Sequence, residues 1–388
     1  MVLKLQTRSG LTAALVSLVF VGAACGTTDD EGGDNADGGG DCAGTIGVMG
    51  ALSGSNASVV IPSVNGAKMA LKEWSAENED CDVKLQEFDT EGDPAKATPV
   101  ATQIAGDDTF IGVIGGAFSG ETRATKTIYQ DGGVPMVSQS ATATDLTQDD
   151  PVEVFHRLVP YDDYQGAAIA KYLTDELGAS NVFVIDNSEA YGEPLADRVE
   201  ESLGDAMAQR DKTQVGQTDF APTISKMESA APDAIFYGGY IAEAAPLLKQ
   251  IRDAGIDVPF VGGDGLYGAD FGNAVGPAGE GAIVMCPCAP IEEDSTFAAD
   301  YEEEFGSAPG AYAAEGFDAM SVFLAALDDG ARTREDVEAF VDGYTGDGLS
   351  KEISFDESGD VPKDKVSYWA YKNEGGTLVP DVEVSPAS

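Results

Sequence analysis

Two short segments carry residue types suited to gripping an anion. Gly115-Gly-Ala-Phe-Ser-Gly-Glu-Thr122 joins a strand-like run to a helix-like run. Its glycines permit close backbone approach. A helix start offers free N–H groups and a partial positive charge, a natural seat for a carboxylate. Ser119 adds a hydroxyl donor there. Ser138-Gln-Ser-Ala-Thr-Ala-Thr144 follows the next strand-like run and offers Ser140 and Thr142 in the same way. The same hydroxyls can serve only as helix caps, and spacing alone does not separate these readings.

Other reactive patterns are weaker. Gly263-Asp-Gly-Leu-Tyr-Gly268 fits G-x-G-x-x-G, but a dinucleotide site needs it in the first βαβ unit. It also needs an acid ending the following strand, about 20 residues on. Here the next strand ends at Met285 and Cys286, so a plain glycine-rich loop is expected. There is no Walker-type phosphate loop and no G-x-S-x-G nucleophile elbow. The single histidine, His156, lies in the strand-like run Val152–Leu158 and reads as structural. Ser119 has no base placed beside it, and nucleophile activation requires one. No enzyme, cofactor or metal site is expected.

Five cysteines remain to be placed. Cys42 and Cys81 each precede a strand-like run. If those strands are parallel neighbours, both cysteines fall at one sheet edge and pair. Cys286-Pro-Cys288 is open between a tight local bridge and free thiols; too few Cys and His remain to complete a metal site.

The elements that must position these segments alternate strictly. Strand-like runs are Gly44–Gly50, Val83–Asp89, Ile111–Gly115, Pro135–Ser138, Asn181–Asp186, Lys212–Gly216, Ala234–Gly238, Pro259–Gly262 and Gly281–Met285. Helix-like runs lie between them: Gly66–Asn78, Pro94–Gly106, Glu121–Gln130, Tyr164–Leu177, Glu193–Gln209, Thr223–Ala230 and Ile241–Ala254. Such β-α-β order implies parallel sheets covered by helices on both faces. Nine strands and 388 residues suit two doubly wound α/β lobes. After Cys288 the pattern becomes helical over Thr296–Phe305, Ala311–Leu327 and Arg334–Gly343, then ends in strand-like Glu352–Phe355 and Ser367–Lys372. The tail from Glu374 reads as polar.

Lys plus Arg number 22 against 68 acids, a net charge of −46. Such a surface repels nucleic acid and anionic lipid. Near the amino terminus, Lys4 and Arg8 precede the apolar run Leu11–Val21, and small residues lead to Cys25. That order resembles a bacterial lipoprotein signal, with Gly22 where such signals carry Leu, Val or Ile. Cys25 then becomes the lipid-bearing residue of an extracytoplasmic chain. Residues 26–43 are a Gly- and Asp-rich tether.

From Ile46 to about Lys372 the chain resembles the branched-chain amino acid-binding proteins of ABC importers, the Leu/Ile/Val type. The likeness rests on Gly50–Gly54, Gly115–Thr122, Ser140–Thr142, Ala190–Glu193, Phe236–Tyr240 and Gly262–Gly265, in that order. The resemblance implies two lobes closing on ligand about a three-crossing hinge, near Val159, Cys286 and Lys351. It divides the chain into residues 44–159 and 286–351 for one lobe and 160–285 and 352–388 for the other. Ser119, the backbone around Ser140 and Ala141, and Thr142 would hold a ligand carboxylate. Asp264 would bind the α-ammonium, and Tyr191 and Tyr240 would close over the ligand. Phe118 would line the side-chain pocket.

Two departures stand out: Asp264 where the family usually has Glu, and Val59 where it often has Tyr. The implied protein is a monomeric, lipid-anchored carrier. It hands an amino acid, branched-chain or otherwise apolar, to a membrane permease. The alternative is a sensor of amides, urea or aromatic acids on the same fold.

Overall fold

The computed structural model describes residues 42–385. The first lobe is built on a five-stranded parallel sheet. Its strands are β1 (Ala43–Gly50), β2 (Asp82–Asp89), β3 (Phe110–Ile114), β4 (Met136–Ser138) and β5 (Phe155–Arg157), ordered β2-β1-β3-β4-β5. Helices α1 (Ala57–Glu77), α2 (Pro94–Ala105) and α3 (Ser119–Gly132) connect its first four strands. β3 is buried along its whole length, as a central parallel strand must be, whereas edge strand β2 is never fully buried. Asp93 caps α2 by accepting the Ala95 N–H at 2.8 Å, with Pro94 in the first turn.

The second lobe carries helices α4 (Asp162–Lys171), α5 (Gly192–Leu203), α6 (Ala221–Ala230), α7 (Ile241–Asp253) and α8 (Ala269–Val275). They alternate with β6 (Val182–Asp186), β7 (Met207–Lys212), β8 (Ala234–Gly238), β9 (Phe260–Gly262) and β10 (Ile283–Cys286). The chain then returns to the first lobe. There α9 (Thr296–Phe305), α10 (Ala313–Asp328) and α11 (Arg334–Asp342) are followed by a small antiparallel pair, β11 (Thr345–Asp347) and β12 (Glu352–Ser354). Finally β13 (Tyr368–Glu374) and β14 (Thr377–Val384) join the second sheet, ordered β14-β13-β10-β9-β8-β6-β7.

Several boundaries differ from the sequence expectations. α1 starts at Ala57, not Gly66: Pro62 looks like a breaker, yet the buried face Val59, Val60, Ser63 and Val64 runs through it. The strand expected at Lys212–Gly216 lies at Met207–Lys212, and α5 stops at Leu203 to make room. The tail read as polar holds β14, antiparallel to β13, so the second sheet is not wholly parallel. The third passage between lobes comes after Ser354, later than Lys351, because Gly359 and Asp360 still bond to Arg157 of the first lobe.

Glycines weld the returning helix to the first lobe. A Cβ on Gly66 would lie 1.9 Å from the Ala313 carbonyl oxygen, and one on Gly316 would lie 1.9 Å from the Ser63 carbonyl oxygen. Only glycine allows α1 and α10 this approach. Cys42 and Cys81 are bridged at the paired starts of β1 and β2, with Cα atoms 4.7 Å apart. Cys286 and Cys288 are bridged at the end of β10. Cys25 lies outside the described residues.

Candidate functional site

The C-terminal ends of both sheets face a common cleft, where α/β proteins place ligands. The turn after β9 sets Asp264 at its base, with 5% of its surface exposed. Its Oδ1 accepts hydrogen bonds from Tyr191 Oη and Gln165 Nε2, both at 2.6 Å, and its Oδ2 accepts one from Tyr312 Oη at 2.5 Å. Three neutral donors therefore surround one carboxylate. No Lys or Arg among the described residues pairs with it. Burial pushes its pKa above the ordinary aspartate value, and the hydrogen bonds oppose that shift.

Tyr191 and Tyr240 stack with ring centroids 5.3 Å apart, and Phe118 meets Tyr240 edge-on at 5.1 Å. Glycine is needed beneath them, since a Cβ on Gly265 would come within 2.9 Å of both tyrosine rings. Together with Val59, Ser119, Ser140 and Tyr312 these residues enclose a cavity of about 10 Å³. That is room for about one water, so nothing larger enters unless the lobes part. Arg123 reaches across, donating to the Ala190 carbonyl at 3.2 Å while its fork holds Asp145 of its own lobe.

The hydroxyl loops meet at the opposite wall. Ser119 begins α3, and its Oγ accepts the Ala143 N–H at 3.2 Å. Thr142 Oγ1 is buried without a hydrogen-bond partner. Two of the expected donors are engaged inside the loop: Ser140 Oγ donates to the Ala117 carbonyl, and the Ala141 N–H donates to Ser138 Oγ. Those two residues brace the loop. Ser119, Thr142 and the first-turn N–H groups of α3 are what it presents to an anion.

Arg157, invisible as a site residue in sequence, holds this loop from below. It is fully buried and pairs with Asp360 at 2.5 Å. It also donates to the carbonyls of Ala141 and Ala143 and to Thr147 Oγ1.

Asp162 was also missed. It opens α4, is wholly buried, and neither carboxylate oxygen makes a hydrogen bond. Burial first, and then the charge of Asp264, push its pKa up to about 8. The neighbouring Thr142 hydroxyl and Arg157 act the other way. The sign of the pH effect follows. The folded protein keeps this proton up to about pH 8, whereas the unfolded chain loses it near pH 4. Stability therefore falls as pH rises between those values. Glu121, pushed up to about 7 mainly by burial, adds to the same slope. Thermal melts of the ligand-free protein are expected to shift down from pH 5 to pH 8, and Asp162→Asn is expected to flatten that dependence. An unchanged slope in the variant would mean Asp162 is ionised throughout.

Two α/β lobes meeting over a tight cleft with Asp264 at its base have the architecture of a two-lobed binding protein. The chain belongs to the periplasmic binding protein family, whose profile matches residues 44–373. It is 32% identical to the leucine-specific-binding protein of Salmonella typhimurium over 247 residues, 62% of this chain. That match spans 66% of the relative's length, just under two thirds. It is 28% identical to the Leu/Ile/Val/Thr-binding protein of the same organism over 325 residues, covering 81% of this chain and 88% of that one. Among solved structures, the leucine-binding protein LivK of Thermotoga maritima superposes with a TM-score of 0.80 at 25% identity. It covers 88% of this chain and 99% of that one.

Proposed function

We propose that this chain is the extracytoplasmic substrate-binding component of an ABC importer, without catalysis of its own. It captures an amino acid between its lobes and delivers it to a membrane permease. The observation that carries this reading is Asp264: a sealed carboxylate facing only neutral donors. A ligand ammonium supplies the missing positive charge and three N–H donors, matching the three hydrogen bonds already made. The carboxylate end of the same zwitterion meets Ser119, Thr142 and the start of α3. Phe118, Tyr240 and Val59 offer apolar walls to the side chain, which supports a branched-chain or other apolar amino acid. The curated relatives are named for leucine, isoleucine, valine and threonine. Lipidation at Cys25 keeps the carrier at the membrane surface, and the carrier acts as a monomer.

Thermal-shift and calorimetric titration of protein refolded free of carried-over ligand tests this. At 100 times its dissociation constant a ligand adds about 2.7 kcal/mol. A shift with Leu, Ile or Val, with affinity rising from pH 6 to 8 as the ammonium displaces the Asp162 proton, is expected. A shift only with uncharged amides, urea or benzoate would overturn the ammonium role of Asp264.

A further inference from the structure

A second group of ligating atoms lies in the first lobe, on β5 and α11. Glu338 and Asp342 stand one turn apart on α11, at the i,i+4 spacing that puts both on one face. His156 of β5 faces them, its ring 98% buried and its Nε2 3.0 Å from Asp342 Oδ1. One donor atom from each residue lies within 4.8 Å of the others. We propose that these three side chains bind a divalent transition-metal ion of the zinc type.

Glu338 argues most strongly for a cation. Both its carboxylate oxygens are shielded from solvent, and neither has a hydrogen-bond partner. The charges nearest it are the carboxylates of Asp342 and Glu153. The basic residue of the same helix is already committed. Arg334 directs all five of its N–H groups to backbone carbonyls, those of Phe110, Ala105, Gly132, Ile104 and Asp107. A shielded carboxylate among like charges is costly as an anion, and a positive partner relieves that cost.

The His–Asp hydrogen bond occupies His156 Nε2 and Asp342 Oδ1, but leaves both Glu338 oxygens and His156 Nδ1 without a partner. A metal would take a donor atom from each of the three side chains and give Glu338 its positive partner. Ligand atoms about 2.0–2.2 Å from a tetrahedral ion are themselves roughly 3.3 Å apart, close to the Nε2–Oδ1 separation seen here. With the metal on Nε2, the imidazole proton resides on Nδ1. A surface cavity of about 530 Å³, bordered by Glu338, Asp342, Glu153 and Asp108, admits water for the fourth position. An imidazole among the donors selects zinc-like ions over calcium and magnesium. The bound ion would pin α11 to the strand that carries Arg157, and so stiffen the support of the cleft loop.

The chain has one histidine, so one set of imidazole signals reports the site. Tag-free, isotope-labelled full-length chain would be titrated with zinc ion, with calcium ion as control, and followed by NMR and calorimetry. Saturable one-to-one zinc binding is expected, with the imidazole nitrogens shifting at the same midpoint. Glu338→Gln is expected to weaken it by at least about 10-fold, and calcium is expected to leave the ring signals unmoved. Imidazole signals unmoved by zinc would overturn the proposal. So would zinc affinity that Glu338→Gln leaves intact, since the acidic surface would then be binding it diffusely. Because His156 is buried and its replacement threatens folding, the glutamate variant carries the test. The imidazole signals report this site whether or not the cleft binds an amino acid.

Discussion

Asp264→Asn is expected to weaken amino acid binding by at least about 30-fold while leaving the ligand-free protein as stable as before or more so. Removing one member of a buried, hydrogen-bonded charge pair costs about 2–5 kcal/mol, and about 1.4 kcal/mol is tenfold in affinity. The ammonium would lose its counter-charge and meet an amide N–H in place of one oxygen. The empty protein, in contrast, sheds a carboxylate whose charged form burial disfavours. Opposite signs for binding and stability separate this from general misfolding. Calorimetric titration with the best ligand from the panel, alongside thermal melts, reads both quantities. Undiminished affinity would place the ammonium elsewhere.

The second large effect is expected at Arg157. Arg157→Met leaves Asp360 buried without its counter-charge and releases the carbonyls of Ala141 and Ala143. Breaking such a pair from one side costs about 3–5 kcal/mol. Thr147 and Gln148 also donate to Asp360 Oδ2, each at 2.8 Å, and soften the loss. Arg157→Lys keeps the charge but not the fork, and an intermediate loss is expected. The unhooked 141–147 loop would also present Thr142 poorly, so affinity should fall with stability. Denaturant unfolding of the two variants tests this. A change below about 1 kcal/mol in Arg157→Met would show that the pair barely compensates its own desolvation.

Much of this was legible in the sequence, for identifiable reasons. β-α-β alternation exposes the parallel sheets because buried parallel strands are nearly continuous apolar runs. The pairing of Cys42 with Cys81 follows from parallel neighbours starting together, as the register Ala43 to Asp82 bears out. Asp264, Tyr191 and Tyr240 follow strand ends, and the fold brings them into contact.

The missed residues share a different property. Tyr312, Gln165 and Asp162 lie at or near the starts of helices, where polar and aromatic residues ordinarily face solvent or core. Tyr312 precedes α10 with φ at 56°, a left-handed conformation rare outside glycine. Nothing in a helical pattern foretells that turn toward Asp264. Arg157 sits beside His156 in an alternating run and has no sequence neighbour that reveals a partner as distant as Asp360. β14 escaped because Pro380, Asp381 and Glu383 read as loop. In the fold these residues suit an edge strand, and the pairing slips register beside Pro380.

The three donors around Asp264 have one more implication. If Asp264 takes the ligand ammonium as proposed, Gln165, Tyr191 and Tyr312 occupy the acceptor sites it needs, and the protein acts as its own competitor. Every affinity measured is an exchange, with internal hydrogen bonds surrendered for external ones. A neutral donor gains little by that trade, because it replaces like with like. A cation adds a charge interaction, less the cost of its own desolvation. Discrimination is thus built into the resting contacts of the trap, before any fit to the side chain is tried.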